Sequence, residues 1–207
     1  MVIPLKNLLK GRLLRIAELQ DRVILFLVRH CDIIFHGGTA IWRVYGGKRF
    51  SFDLDIYCSS PEKISVLLED EFNAIKKRIT SGNVLYMKIE ENRTVIEIEA
   101  SPEFRKTKAH ESEFYLVDGS SVLVKVLTPE ELIKEKILAF KEREKARDLY
   151  DIYHLLPLCD VQKVEPVIRG FKPKRPKDWN GLKEIILLGA TPSYESVILR
   201  IEKYAKS

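Results

Sequence analysis

Cysteine is scarce: Cys31, Cys58 and Cys159 are the only three in 207 residues. They are odd in number and widely spaced, which excludes a metal knuckle and a complete disulfide framework and points to a reducing compartment. Long apolar runs are also missing. Stretches such as Val23–Val28 and Ile185–Ala190 are far too short to cross a bilayer. The opening Met1-Val-Ile-Pro-Leu-Lys has no basic n-region, apolar h-region or small-residue cleavage site of a signal peptide. Internal repeats and low-complexity tracts are absent as well. A cytoplasmic chain with no membrane partner is the expectation.

What remains is a chain able to build a core and stay soluble, with 45% hydrophobic and 31% charged residues. Its length suits one compact unit, or a catalytic domain with a smaller one attached. The net charge of +5 is modest but unevenly placed. Between Lys163 and Lys183 seven basic residues face only Glu165 and Asp178, so that segment carries the entire excess. Lys172, Lys174, Arg175 and Lys177 form its centre, with Phe171 and Trp179 among them as stacking surfaces for unpaired bases. Such a patch attracts polyanions by neutralising phosphates and releasing counterions. A solvated, proline-punctuated loop has the same composition, and the charge does not separate the two.

Leucine at helical spacing predicts one broken helix or two over Leu5–Arg29, interrupted near Gly11. A short strand follows at Asp32–His36. The Gly37-Gly38-Thr39 turn comes next, with Thr39 as the N-cap of a helix over Ala40–Tyr45. Phe52–Cys58 alternates and reads as a strand, and Pro61 to about Lys77 as a helix. Val84–Glu90 and Arg93–Ala100 predict a strand pair, Glu113–Val117 and Val122–Leu127 a hairpin around Asp118-Gly119. Thr128-Pro129-Glu130-Glu131 is a capping box, and helix is expected from there to Leu156, broken around Glu142–Lys145. Lys183–Leu188 and Ser193–Tyr204 are expected as closing helices. This order implies an α+β fold: a mixed-sheet catalytic domain with flanking helices over 1–127, and a helical domain over 128–207 that completes the active-site cleft.

Asp53 and Asp55 carry the first chemical signal. In a strand their carboxylates project from one face while Leu54 and Ile56 point to the other. Two adjacent carboxylates repel unless a cation lies between them, and oxygen donors are what Mg²⁺ prefers. Alone, the pair is equally two solvent-facing aspartates. The Gly37-Gly38-Thr39 turn adds weight, because glycines there let a backbone approach phosphate oxygens closely. Strand, phosphate turn, helix and metal strand together form the set that two-metal phosphoryl chemistry needs. Val95-Ile-Glu-Ile-Glu-Ala offers a third carboxylate, Glu97 or Glu99, on one strand face.

These residues resemble the AbiEii and MenT branch of the nucleotidyltransferase superfamily. His36-Gly-Gly-Thr-Ala-Ile-Trp-Arg and Lys48-Arg-Phe-Ser-Phe-Asp-Leu-Asp-Ile are similar to its Gly-Gly-Thr-Ala turn and Arg-x-Ser-x-Asp-x-Asp strand. Lys136-Ile-Leu-Ala-Phe-Lys-Glu-Arg and Lys145-Ala-Arg-Asp-Leu-Tyr-Asp-Ile-Tyr-His-Leu-Leu resemble its helical motifs. The likeness spans roughly Phe35 to Leu156. It implies catalytic roles for Asp53, Asp55, Lys136 and Asp148, with the metals on Asp53 and Asp55. Glu97 is favoured as the third metal ligand, although a glutamate stands where such sites often carry aspartate. It further implies a triphosphate held at Gly37, Gly38, Thr39 and Lys136, with Arg49 and Ser51 supporting the phosphate turn. The implied cofactor is Mg²⁺ or Mn²⁺, the substrate a nucleoside triphosphate, and the partner a separate antitoxin protein. The acceptor would be RNA, with tRNA foremost, or a protein hydroxyl; a non-catalytic nucleotide- or RNA-binding relative is the other class.

Overall fold

The computed structural model describes residues 5–102 and 107–206, so Met1–Pro4 of the opening segment lie outside it. The architecture is α+β, a mixed sheet with helices against it followed by a helical part. The chain forms two compact units, one of Met1–Val44 with Ser51–Leu127 and one of Tyr45–Phe50 with Thr128–Ser207.

In the first unit, α1 (Leu5–Leu8) and α2 (Gly11–His30) are separated near Gly11, whose positive φ breaks the helix. Ile16, Leu19, Val23 and Leu27 recur along one buried face of α2. The strands β1 (Ile33–His36), β2 (Asp53–Cys58), β3 (Ala74–Ile79), β4 (Leu85–Glu91), β5 (Thr94–Pro102), β6 (Ala109–Tyr115) and β7 (Ser121–Leu127) make one sheet, in the order β3-β4-β5-β2-β1-β7-β6. Leu54, Ile56, Ile96 and Ile98 turn into the core, which sends the intervening carboxylates to the opposite face. The short helix α3 (Gly37–Arg43) follows β1 directly.

The helix expected from Pro61 to Lys77 is shorter. As α4 it covers Pro61–Glu71, and Phe72 leaves it in extended conformation. The residues beyond form β3, an edge strand with Ile75 and Ile79 exposed. Its order comes from pairing with β4 rather than from a buried apolar face, so no period-2 pattern announces it.

The second unit holds α5 (Pro129–Arg143), α6 (Ala146–Leu155), α7 (Val161–Ile168) and α8 (Tyr194–Ala205). Thr128 caps α5 by accepting from the Glu131 amide, and Glu144 ends it in left-handed conformation. One helix here was not foreseen, and one expected helix is absent. The proline-rich stretch contains α7, capped by Asp160 and anchored by buried Val164 and Ile168 despite Pro166 inside it. Lys183–Leu188 is not a helix. A 3₁₀ turn over Trp179–Glu184 leads into a short antiparallel ladder in which Phe50 N–H donates to Ile185 and Leu187 N–H to Lys48. That ladder is how Tyr45–Phe50 comes to belong to the helical unit.

Candidate active site

The first unit gathers the turn and the acidic strand. β1 pairs antiparallel with β2, setting His36 opposite Asp55; β2 pairs in parallel with β5, setting Asp53 beside Glu97 and Asp55 beside Glu99. Gly37 has φ +68°, and a Cβ there would run into the Asp55 carboxylate, 2.6 Å from its Cγ and 2.8 Å from its Cβ. Glycine is therefore required twice, for the left-handed backbone and for the carboxylate lying against it. The glycine turn and the acidic strand are in contact through this residue.

Thr39 corrects the sequence reading. The helix begins at Gly37 with His36 as its N-cap, so Thr39 lies in the first turn and is buried. Its hydroxyl donates to the backbone carbonyl of Asp53. That proton ties turn to strand and is spent on protein.

Two supports were invisible in the sequence. Gln20, fully buried on α2, donates from Nε2 to the carbonyls of Ser51 and Phe52 at 3.1 and 3.0 Å. It thereby fixes the chain just before Asp53, and Ser51 is buried there. At the end of α3, Arg43 is buried in an ion pair with Asp21 of α2, its guanidinium 4.8 Å from the Trp42 ring and 5.0 Å from Phe114. Asp21 also accepts from the Val117 amide at 2.7 Å. A mid-helix glutamine and a helix-end arginine carry no local signal for such long-range bonds.

The two candidate third carboxylates differ. Glu97 is an exposed partner of Lys88. Glu99 is half-buried; burial first, then Asp55, and to a smaller extent Asp53, push its carboxyl above the usual range, partly offset by His36 and Ser101. The register sets Glu97 beside Asp53 and Glu99 beside Asp55, so both carboxyls share the acidic face. Among the described residues no group of three or more His, Cys, Asp and Glu is arranged to hold a metal ion.

The remaining motif residues lie in the helical unit, around an aspartate that sequence reasoning left without a role. Asp151 is buried and takes Arg49 with both oxygens, at 2.5 and 2.6 Å, and Lys136 Nζ at 2.9 Å. Asp148, equally buried, is 3.7 Å from Lys136 Nζ and takes both Nε and Nη2 of Arg143 at 2.8 and 2.6 Å. Burial alone would raise the Asp151 carboxyl, but Arg49 and Lys136 beside it hold it below the usual range. Arg49 also donates from Nη1 to the Phe50 carbonyl at 3.1 Å. The spacing of Asp148 and Asp151, one helical turn apart on α6, was the available clue to their shared role.

Lys172, Lys174, Arg175 and Lys177 are exposed, as a polyanion surface requires. Their neighbouring aromatics are not. Trp179 is buried edge-to-face against Tyr194, and Phe171 packs edge-to-face on Phe140. The Trp179 ring belongs to the helical core, while Phe171 is half-buried. No helix among the described residues is long and apolar enough to cross a membrane.

The family model described as nucleotidyl transferase AbiEii toxin, type IV TA system, matches residues 24–178. Among solved structures, JHP933 from Helicobacter pylori is similar with a TM-score of 0.64 and 19% identity, over 96% of this chain and 92% of that one. The structure of ANT(2″)-Ia in complex with adenylyl-2″-tobramycin is similar with a TM-score of 0.52 and 13% identity, over 72% of this chain and 92% of that one. No curated protein matches the sequence.

Proposed function

The chain belongs to the AbiEii nucleotidyltransferase toxin family, and from that premise we propose that it moves a nucleoside monophosphate from a nucleoside triphosphate onto an RNA hydroxyl, tRNA foremost. The family carries the coarser statement, a nucleotidyltransferase toxin with a nucleotide substrate and an antitoxin partner. The finer reading rests chiefly on one observation, the close approach of Gly37 to the Asp55 carboxylate. It brings a phosphate-binding backbone against an acidic pair.

Magnesium is commonly held by one or two carboxylates and completed by substrate phosphates. Asp53 and Asp55, all-oxygen donors beside the turn, fit that pattern without a third protein ligand. A divalent cation bound there would neutralise charge on the phosphates and lower the pKa of the attacking hydroxyl. The chain's own work is positional. Gly38 and Thr39 offer backbone N–H groups to the triphosphate, while the Thr39 hydroxyl holds Asp53 in place. Glu99, next to Asp55 across the strand pair, would receive the proton of the acceptor hydroxyl. The hydroxyl oxygen bonds to the α-phosphorus, the bond from that phosphorus to the bridging oxygen breaks, and pyrophosphate leaves with the electron pair. For Lys136 and Asp148 the family roles stand as proposals to be tested by substitution. For Lys172, Lys174, Arg175 and Lys177 an RNA contact stands likewise.

The test is incubation with each α-labelled triphosphate, Mg²⁺ or Mn²⁺, and total cellular RNA or protein. Label should enter the RNA fraction, and Asp53→Ala should abolish it while the protein stays folded, since removing a crowded carboxylate relieves repulsion. Near-normal transfer by Asp53→Ala would end the reading. Label in protein would replace the acceptor, and nucleotide binding without incorporation would favour a non-catalytic relative.

A further inference from the structure

The sheet of the first unit places different chemistry on the two sides of the acidic pair. β1, which leads into the phosphate turn, flanks β2 on one side; β5, then β4, then β3 lie on the other. Residues paired across adjacent strands share a face. Following the register, Arg78, Tyr86, Glu99 and Asp55 form one row, and Lys76, Lys88, Glu97 and Asp53 the next. Both rows line a single cavity of about 500 Å³. Its floor passes from carboxylates on β2 and β5 to cations on β4 and β3.

The cations are not equivalent. Lys88 is neutralised by Glu97. Lys76 and Arg78 have no acidic partner among the described residues, whereas their neighbour Lys77 on the other face is paired with Glu69 at 2.7 Å. The Arg78 guanidinium lies 4.9 Å from the centre of the Tyr86 ring, and that ring is 39% exposed. Edge strands often carry lysines simply to discourage pairing with other chains. That role needs only charge, and it does not account for an arginine stacked on an exposed tyrosine inside the cavity that holds the aspartates.

Phosphoryl displacement runs in line, with the attacking oxygen opposite the leaving one. With pyrophosphate at the β1 side, the acceptor enters from the β5 side and its body extends over β4 and β3. Carboxylates there would repel an anionic acceptor, so unpaired cations further out are where its charge can be met. We propose that Lys76, Arg78 and Tyr86 form the acceptor-RNA site, binding backbone phosphates and one stacked base next to the attacking nucleotide. From β2 to β3 is three strand spacings, about 14 Å, or about four stacked nucleotides at 3.4 Å each. The site rests on the nucleotidyl-transfer reading and gives its acceptor a place beside the reacting carboxylates.

The experiment is binding of a short fluorescent single-stranded RNA and of bulk deacylated tRNA, followed by anisotropy over a salt series, with label transfer measured in parallel. In K76E/R78E the RNA affinity at low salt should fall at least about tenfold, and the logarithmic salt slope should flatten by about 1.4, two contacts at 0.7 each. Y86A should weaken binding by about 5- to 150-fold with the slope unchanged, the mark of lost stacking. Triphosphate affinity should hold in all of them. K76Q/R78Q removes the charge without reversing it, and keeps the test if the reversed pair does not fold. Parent-like affinity and slope in both pairs, with the parent still labelling RNA, overturns this site and leaves the transfer reading standing. A parent that binds neither RNA and labels only protein overturns this site and replaces the acceptor, and one that incorporates no label overturns both.

Discussion

Replacing Gly37 by alanine asks whether the contact between turn and acidic strand is what makes the site. The added methyl meets two costs. At φ +68° an L-residue pays about 1–2 kcal/mol for the left-handed backbone. The methyl would also lie 2.6 Å from Asp55 Cγ and 2.8 Å from its Cβ, where carbon atoms settle at about 3.5–4.0 Å. Something must therefore move by about 1 Å, and Thr39, locked to the Asp53 carbonyl, resists movement of the turn. Overpacking of this kind costs about 1–3 kcal/mol, for a total of about 2–5 kcal/mol. In a protein of this size that lowers Tm by roughly 4–20 °C. A reacting group displaced by about 1 Å can lose about a hundredfold in rate, so transfer should collapse in protein that is still folded at 20 °C. Differential scanning calorimetry and labelled-triphosphate transfer measure the two effects. A double-mutant cycle assigns them: in an Asp55→Ala background the clash with Oδ2 and Cγ is gone, and the stability cost of Gly37→Ala should shrink by about 0.5–3 kcal/mol. Parent-like Tm and transfer in Gly37→Ala, or an unchanged cost in the Asp55→Ala background, would show that the contact between turn and strand does not shape the site.

Two further outcomes concern the carboxyls. Glu99 has a folded pKa raised by burial and by Asp55, so its contribution to stability is fully present below the unfolded value of about 4.3 and is lost as pH rises through the folded value. Glu99→Gln should therefore raise the urea midpoint of the metal-free protein at neutral pH and lose that advantage below about pH 4; an equal gain at both pH values contradicts it. Asp151 has the opposite sign, its folded pKa being held down by Arg49 and Lys136 against the effect of burial. Its contribution is present above the unfolded value of about 3.9 and is lost as pH falls through the folded one, and Asp151→Asn, which leaves two buried cations short of a partner, should cost about 3–5 kcal/mol at neutral pH. Equal urea midpoints for parent and Asp151→Asn at pH 7 would show that the cluster is not carrying that load.

The parts of the site that could be read from sequence are those whose pattern is local. Asp53-Leu54-Asp55 alternates within three residues, and the Gly37-Gly38 turn is recognisable because few conformations need two glycines between a strand and a helix. Gln20 could not be read, since it acts on the remote Ser51, and Asp151 showed only its spacing from Asp148 and not its bond to the remote Arg49. The same distinction explains the fold. The helices α2 and α5 have buried faces at helical spacing, and the Thr128 cap of α5 lies directly before its first residue. β3 buries almost nothing, and its strand character is supplied by β4. The segment Tyr45–Phe50 is more instructive still, because Gly46-Gly47 signals only that a helix stops. That the next residues join the helical unit depends on amides and carbonyls of residues 185–187, some 140 positions further on. It follows that Arg49 and Ser51, two residues apart in one motif, are held by different units and by different partners: Asp151 fixes one and Gln20 fixes the chain at the other. A motif that is continuous in sequence is here a junction in the structure, and its arginine and its aspartates answer to separate sets of supporting bonds.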